Sequence, residues 1–411
     1  MIRYLSSASS PIICFYSIAK LAWFTLLFLA SFMNTQTGTP DKTVEPCASE
    51  EAGVVVETVA NYSEGEKVGI ANGDVIRAWT RGDVKGKIRS PFDLIEVELE
   101  QQPRGQVTLE GTRGESRQTW PIGPDTWGIV SRPNLASDLL AAYEDGRQQA
   151  EANKPGEAAE KWRTASTAPH AQCAWLRSWF LMHAGETLTK AHQWEQADAM
   201  FKSALDAATG LGPQVRSTLK RSWITSFDKR GDWPSEAKLA KDAIDEQALN
   251  GTVENLAIAK NITTLAVTLY RIGNLAEAEK YATQALTLRR KLAPGSLDVA
   301  RSLTWLGNIA LWKGELTKAH RYQLEALEVA ERLAPHGLDV AMILGDLGNA
   351  AEDNGDFDKA LELYLRDFEI TQKLDPVGQF SAAALLNLGN VILSRGSGPG
   401  RQILPPMPRH R

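Results

Sequence analysis

Leu306-Gly307-Asn308-Ile309-Ala310-Leu311-Trp312-Lys313-Gly314-Glu315-Leu316-Thr317-Lys318-Ala319 sets the pattern for most of this chain. Its leading triplet returns as Leu347-Gly348-Asn349 and Leu388-Gly389-Asn390, 41 residues later each time. Its turn glycine is matched by Gly273-Asn274 before it and Gly355-Asp356 after it. Ala278, Ala319 and Ala360 then follow at a constant interval. A period of this length marks stacked repeats, each one supersecondary unit. The residue types specify a helix pair. The first Gly lets two backbones approach, the second ends the first helix, and the Ala lets the second helix pack closely. Leu292-Ala293-Pro294, Leu333-Ala334-Pro335 and Leu374-Asp375-Pro376 punctuate the joins. Upstream the pattern persists in weaker form. Gly146, Asn153, Ala158, Trp162 and Ala165 carry one copy, and Gly185, His192, Ala197, Phe201 and Ala204 the next. Gly231-Asp232-Trp233 with Ala237 carries a third, one residue longer. Six helix pairs and the first helix of a seventh (380–394) are expected over 134–394. Eight Trp residues, among them Trp175, Trp179 and Trp223, fall inside the repeats and suit inter-helix gaps.

This signature resembles the tetratricopeptide repeat, in the ~41-residue form of kinesin light chains. The resemblance implies a solenoid whose first helices line a concave groove, with the residue after the crossing Gly facing it. Those residues are Asn308, Asn349 and Asn390, whose amides can grip a peptide backbone. Arg301 and Trp305 would add a charge and an aromatic anchor on the same helix as Asn308. Recent duplication of the repeat accounts equally well for the three Asn. The partners implied are proteins or peptides.

A different periodicity governs 50–130. Gly53-Val54-Val55-Val56-Glu57-Thr58-Val59 is a β-branched strand. Ser63 and Glu66 form a capping box for a helix of little more than a turn, and Gly69 stops it. Asn72-Gly73 turns into a strand at 74–79, and Ser90-Pro91 with Asp93 opens a longer helix that ends before Pro103. A hairpin follows at 106–111 and 116–122 around Thr112-Arg113-Gly114-Glu115. This order resembles a bacterial-type PDZ domain, giving an overall fold class of α+β PDZ-like module followed by an all-α tetratricopeptide solenoid. In that family the carboxylate-holding loop and its strand precede the Gly-Val-Val-Val strand. Only a polar linker stands there here, so the resemblance supports docking or peptide capture without deciding between them.

The 411 residues are 43% hydrophobic and 23% charged with net charge −5, a balance suited to a large core and not to nucleic-acid binding. Cys14, Cys47 and Cys173 share no metal-ligand spacing, and Cys173 reads as a small hydrophobe on a repeat helix. None of the six His sits at ligand spacing, and no G-x-S-x-G or P-loop occurs. No enzyme activity, metal or cofactor is expected. Asn61-Tyr62-Ser63 and Asn261-Ile262-Thr263 match the glycosylation sequon. Arg3 and Lys20 precede an apolar run at 21–33, so 1–49 reads as a signal peptide or signal anchor plus linker. Residues 12–33 are a candidate membrane tether, placing the rest outside the cytoplasm.

The last repeat stops after its first helix, and a Gly- and Pro-rich tail occupies 395–411. Leu385, Leu388, Ile392 and Leu393 are expected to be partly uncovered and are a candidate self-association face. A frameshifted or truncated reading frame is expected to explain this end better than a designed terminus does. The combination, above all 90–105 (Ser-Pro-Phe-Asp-Leu-x-Glu-Val-Glu-x-Glu-Gln-x-Pro-Arg-Gly), resembles the N-terminal part of tetratricopeptide proteins that end in a caspase-like CHAT peptidase. That resemblance supplies no catalytic residue to this chain and leaves a regulatory arm as the alternative to an interaction scaffold.

Overall fold

The computed structural model describes residues 53–169, 171, 173–249 and 254–396. Residues 1–49, read above as a targeting segment and holding Cys14 and Cys47, and nearly all of the tail lie outside the described residues.

Six strands build one antiparallel sheet: β1 (Val54–Val59), β2 (Val75–Arg81), β3 (Val84–Lys87), β4 (Val107–Arg113), β5 (Ser116–Ile122) and β6 (Ile129–Pro133). Their order is β5-β4-β2-β1-β6, with β3 pairing β2. Between them lie α1 (Glu64–Lys67) and α2 (Pro91–Glu100). Ser90 caps α2 with a complete capping box: its Oγ accepts from the Asp93 amide while Asp93 accepts from the Ser90 amide. At α1 the box is displaced, because Ser63 accepts from Glu66 but Glu66 accepts from Tyr62. Asp74, wholly buried, receives both arms of the Arg113 guanidinium at 2.7 Å and pins the β4–β5 hairpin to the turn before β2.

Two strands escaped the sequence pattern. β3 is short and mostly exposed, Val-Lys-Gly-Lys, without a buried alternation. β6 corrects the expected vacancy beside the first strand. Its residues Ile129 to Pro133 pair antiparallel with β1, so the strand that borders β1 comes from the C-terminal side. The loop leading into it is tied down: Gly65 and Glu64 donate to the carbonyls of Trp127 and Thr126, and the Trp127 ring is fully buried in the sheet core.

Helices α3 (Ser137–Glu151), α5 (Ala174–Lys190), α7 (Pro213–Arg230), α9 (Leu256–Arg271), α11 (Leu297–Trp312), α13 (Leu338–Asp353) and α15 (Gln379–Gly396) are the first helices of successive repeats. Their partners are α4 (Pro155–Ala165), α6 (Trp194–Ala207), α8 (Trp233–Leu249), α10 (Leu275–Leu292), α12 (Leu316–Leu333) and α14 (Phe357–Leu374). The turn glycines Gly231, Gly273, Gly314 and Gly355 have φ between +71° and +81°, the left-handed position that ends a helix without steric cost. Asn153 and His192 take the same conformation in the first two repeats.

The crossing glycines have a more specific task than letting backbones touch. Sixteen residues after four of them lies a bulky side chain of the partner helix filling the space a Cβ would occupy. Trp162 sits on Gly146, Phe201 on Gly185, Gln323 on Gly307 and Tyr364 on Gly348. Where the first helix carries Ile224 or Ala266 instead, the partner position is Ala240 or Ala282. Volume is thus exchanged across the joint, as close packing requires. At Gly389 nothing lies within 4 Å. On the same helix Leu385, Leu386, Ile392 and Leu393 are more than half exposed, whereas Leu388, expected to be uncovered, is buried against α14.

Candidate peptide-binding groove

From α5 to α15 the first helices pack on one another in succession, and they carry the face against which α2 lies, called here the inner face. On it Arg221, Lys260 and Arg301 project from α7, α9 and α11. Lys260 and Arg301 are one 41-residue period apart, and the next two equivalents are Met342 and Ala383. The inner face is therefore cationic over three repeats and uncharged at this position over the next two.

Helix α2 of the sheet module lies against α7 and α9, on the cationic part. Its Leu94 and Val97 enter the core beneath the sheet, while Phe92 enters the core of the first repeats. Its carboxylates Glu96, Glu98 and Glu100 face the cations. Glu100 is 7% exposed, accepts from the Ala257 amide at 2.6 Å and pairs with Arg104 at 2.9 Å. It caps the N-terminus of α9 beside Asn255, which accepts from the Ile258 amide. Glu98 accepts from the Trp127 amide; burial raises its carboxyl, and Arg301 and Lys260 pull it back. Asp125, in the β5–β6 loop, stands 3.9 Å from Arg301.

Burial, followed by the charges of Glu100 and Asp93, pushes the Glu96 carboxyl up to about 7 against the pull of Arg221. A carboxyl raised in this way takes up a proton on folding. Its contribution is complete below the ordinary carboxylate range and is lost as pH rises through about 7. Glu96→Gln is expected to remove about 1–3 kcal/mol of the stability difference between about pH 5 and about pH 8. Urea unfolding midpoints at the two pH values measure it, and an unchanged pH slope would count against this role.

Beyond the module the groove is open. It encloses about 380 Å³ between α11, α13, α14 and α15, and Arg301, Trp305, Asn308 and Asn349 line it. Four of the five expected site residues thus meet in one concavity. Their chemistry differs from expectation in two places. Arg301 is held by Asp339 (2.8 to 3.1 Å) and Asp298 (3.2 Å), so it organises the wall and is not a free charge. Asn349 already accepts from the Tyr364 hydroxyl at 2.8 Å, which leaves its NH₂ to donate into the groove. Trp305 is half-buried, its ring edge-on to Tyr270. Asn390 is exposed and lies outside the lining, where Asn387 supplies the amide one turn earlier. The floor, which the sequence pattern did not single out, is Asp367 of α14, visible beneath Gly345.

A second concavity of about 420 Å³ separates β1 and β6 from α3 and α5. Its Glu57 accepts from the Tyr143 hydroxyl at 2.8 and 2.9 Å, a contact that ties sheet to solenoid. His183 beside it is pushed down to about 4 by burial among Trp162 and Trp179. Cys173 occupies the N-cap position of α5 and is partly buried against the hydrophobic core of the first repeats. Asn261 is wholly buried, its NH₂ bonded to Ser217 and Gln247, so its sequon is a packing residue of α9. Among the described residues no group of three His, Cys, Asp or Glu is placed to hold a metal, and no helix is long and apolar enough to cross a membrane.

Tetratricopeptide repeat family models match residues 298–373 and 262–294. No curated protein matches the sequence. Among solved structures, the chain is similar to BtubC (BKLC) from P. vanneervenii, at 16% identity and TM-score 0.44, over 67% of this chain and 100% of that one. It is similar to a Signal Transduction ATPase with Numerous Domains from Pyrococcus horikoshii that has a tetratricopeptide repeat sensor, at 11% identity and TM-score 0.47, over 63% of this chain and 39% of that one. It is also similar to a putative kinesin light chain of Podosopora anserina, at 16% identity and TM-score 0.41, over 49% of this chain and 97% of that one.

Proposed function

Because this chain carries tetratricopeptide repeats, we propose that it is a non-catalytic interaction scaffold that takes a peptide or protein segment along the distal half of its groove. One observation carries this reading. The chain's own module covers the cationic half of the inner face, and Trp305, Asn308 and Asn349 are left lining an open concavity. Such a groove offers a half-buried aromatic anchor and amide donors, the combination that extended peptides use. The PDZ-like module, in this reading, docks through α2 and fixes how much of the groove a partner can reach.

Screening the full chain against a random dodecapeptide phage library tests the groove. Selected peptides are expected to bind about tenfold more weakly to the Asn308→Ala/Asn349→Ala double variant, with Asn390→Ala unchanged. Equal affinity for the double variant and the parent overturns the assignment.

We also propose export or membrane anchoring. The apolar run at 21–33 supports it, with Arg3 and Lys20 ahead of that run as in a targeting segment. Alkaline phosphatase fused after residue 49 is expected to be active in a bacterial host; an inactive, full-length fusion contradicts export.

A further inference from the structure

The repeats provide their own reference for what each position ordinarily holds. At the position of Asp367, one and two periods earlier, the chain carries Ala326 and Ala285, both essentially without exposure. At the position of Gly345 it carries Thr304 and Thr263. One repeat has therefore exchanged a small apolar residue for a carboxylate, and removed a side chain directly above it. A Cβ at 345 would lie 3.0 Å from Asp367 Oδ2.

Asp367 is 6% exposed, yet no hydrogen bond or ion pair reaches its carboxylate among the described residues. Thr371, one turn on, bonds the Asp367 backbone carbonyl instead. Asp346, at the position of Trp305, adds a second carboxyl close by, and burial together with that neighbour pushes Asp367 up to about 7. Burying an unpaired carboxylate is costly, and nothing in the helix packing repays it. The remaining solvent-facing side of Asp367 opens into the groove.

We propose that the groove floor at Asp367 receives the cationic head of a Lys or Arg side chain from the bound peptide. This rests on the groove being a peptide site. The walls suit such a side chain. Trp305, Met342 and Phe380 line the groove and provide apolar surface for its aliphatic stem, and Asn308 and Asn349 line the same concavity with amides that a peptide backbone can use. Arg301 cannot serve Asp367 itself, being committed to Asp339 and Asp298.

The dodecapeptide selection, repeated with Asp367→Asn and Gly345→Val, tests this. Asn keeps the size of Asp and leaves the packing intact, while Val blocks the passage without altering charge. Expected are peptides with a Lys or Arg in register, bound at least tenfold more weakly by either variant and by the double Asn variant. If groove-dependent peptides lack a required Lys or Arg, or bind Asp367→Asn as well as the parent, the cation assignment fails and the peptide groove stands. If no peptide depends on Asn308 and Asn349, the groove reading fails and takes this inference with it.

Discussion

Trp162→Ala is expected to cost about 3–5 kcal/mol of stability, the range for removing a large buried aromatic. Trp162 is 1% exposed, packs in the cleft that Gly146 leaves in α3, and donates its indole N–H to the Tyr143 carbonyl at 3.1 Å. Tyr143, Trp179 and His183 surround it, so truncation leaves a cavity within a ring cluster that cannot close by one side-chain rotation. Gly146→Ala alone is expected to cost about 1–3 kcal/mol, because its Cβ meets the Trp162 ring. Combined, the two should cost less than their sum. The pair would then be Ala on Ala, the solution the chain already uses at Ala266 and Ala282. A coupling energy of about 1 kcal/mol or more in urea denaturation of the four proteins of the cycle is the expected result. Strict additivity would show that the sixteen-residue complementarity is incidental.

That complementarity illustrates what could be read in advance. The Gly and Ala positions announce themselves by period, so the helix pairs and their turns were legible down to the left-handed glycines. The partner of each crossing Gly is Trp, Phe, Gln or Tyr in turn, with no shared letter; only volume is preserved, and volume appears only when both helices are placed. β6 was hidden for a related reason. Ile-Val-Ser-Arg-Pro contains a Pro, which is also its only fully buried residue, so nothing in it demands a strand until β1 is found with a free edge.

The candidate site was half legible. Trp305, Asn308 and Asn349 follow from repeat position and do meet in one groove. Asp367 sits on a second helix, where resemblance directs no attention, although its departure from Ala326 and Ala285 is visible in the sequence to anyone who aligns the repeats by 41. The contact between Glu100 and Ala257 is of another kind. It joins residues 157 apart in sequence, one in the sheet module and one in α9, and no local pattern encodes it.

That contact supports the second large effect. Glu100→Ala is expected to cost about 3 kcal/mol, since it removes a buried acceptor and leaves the Ala257 amide and Arg104 without their partner. The loss should be confined to the seam. Hydrogen exchange is expected to quicken at 90–105 and in the first turn of α9, and to stay unchanged in α13 and α14. Glu100→Gln, which keeps an oxygen for the Ala257 amide, should lose roughly half as much or less. The same substitution carries a functional consequence. With α2 loosened, Arg221 and Lys260 are uncovered, and the cationic half of the inner face becomes reachable from solvent. Glu100→Ala should therefore gain affinity for acidic peptides that the parent chain ignores, while peptides selected on the distal groove keep theirs. Unchanged exchange at 90–105 in the Ala variant would mean that Phe92 and the sheet hold the module in place unaided, and that the carboxylate face of α2 only matches charges already buried by packing.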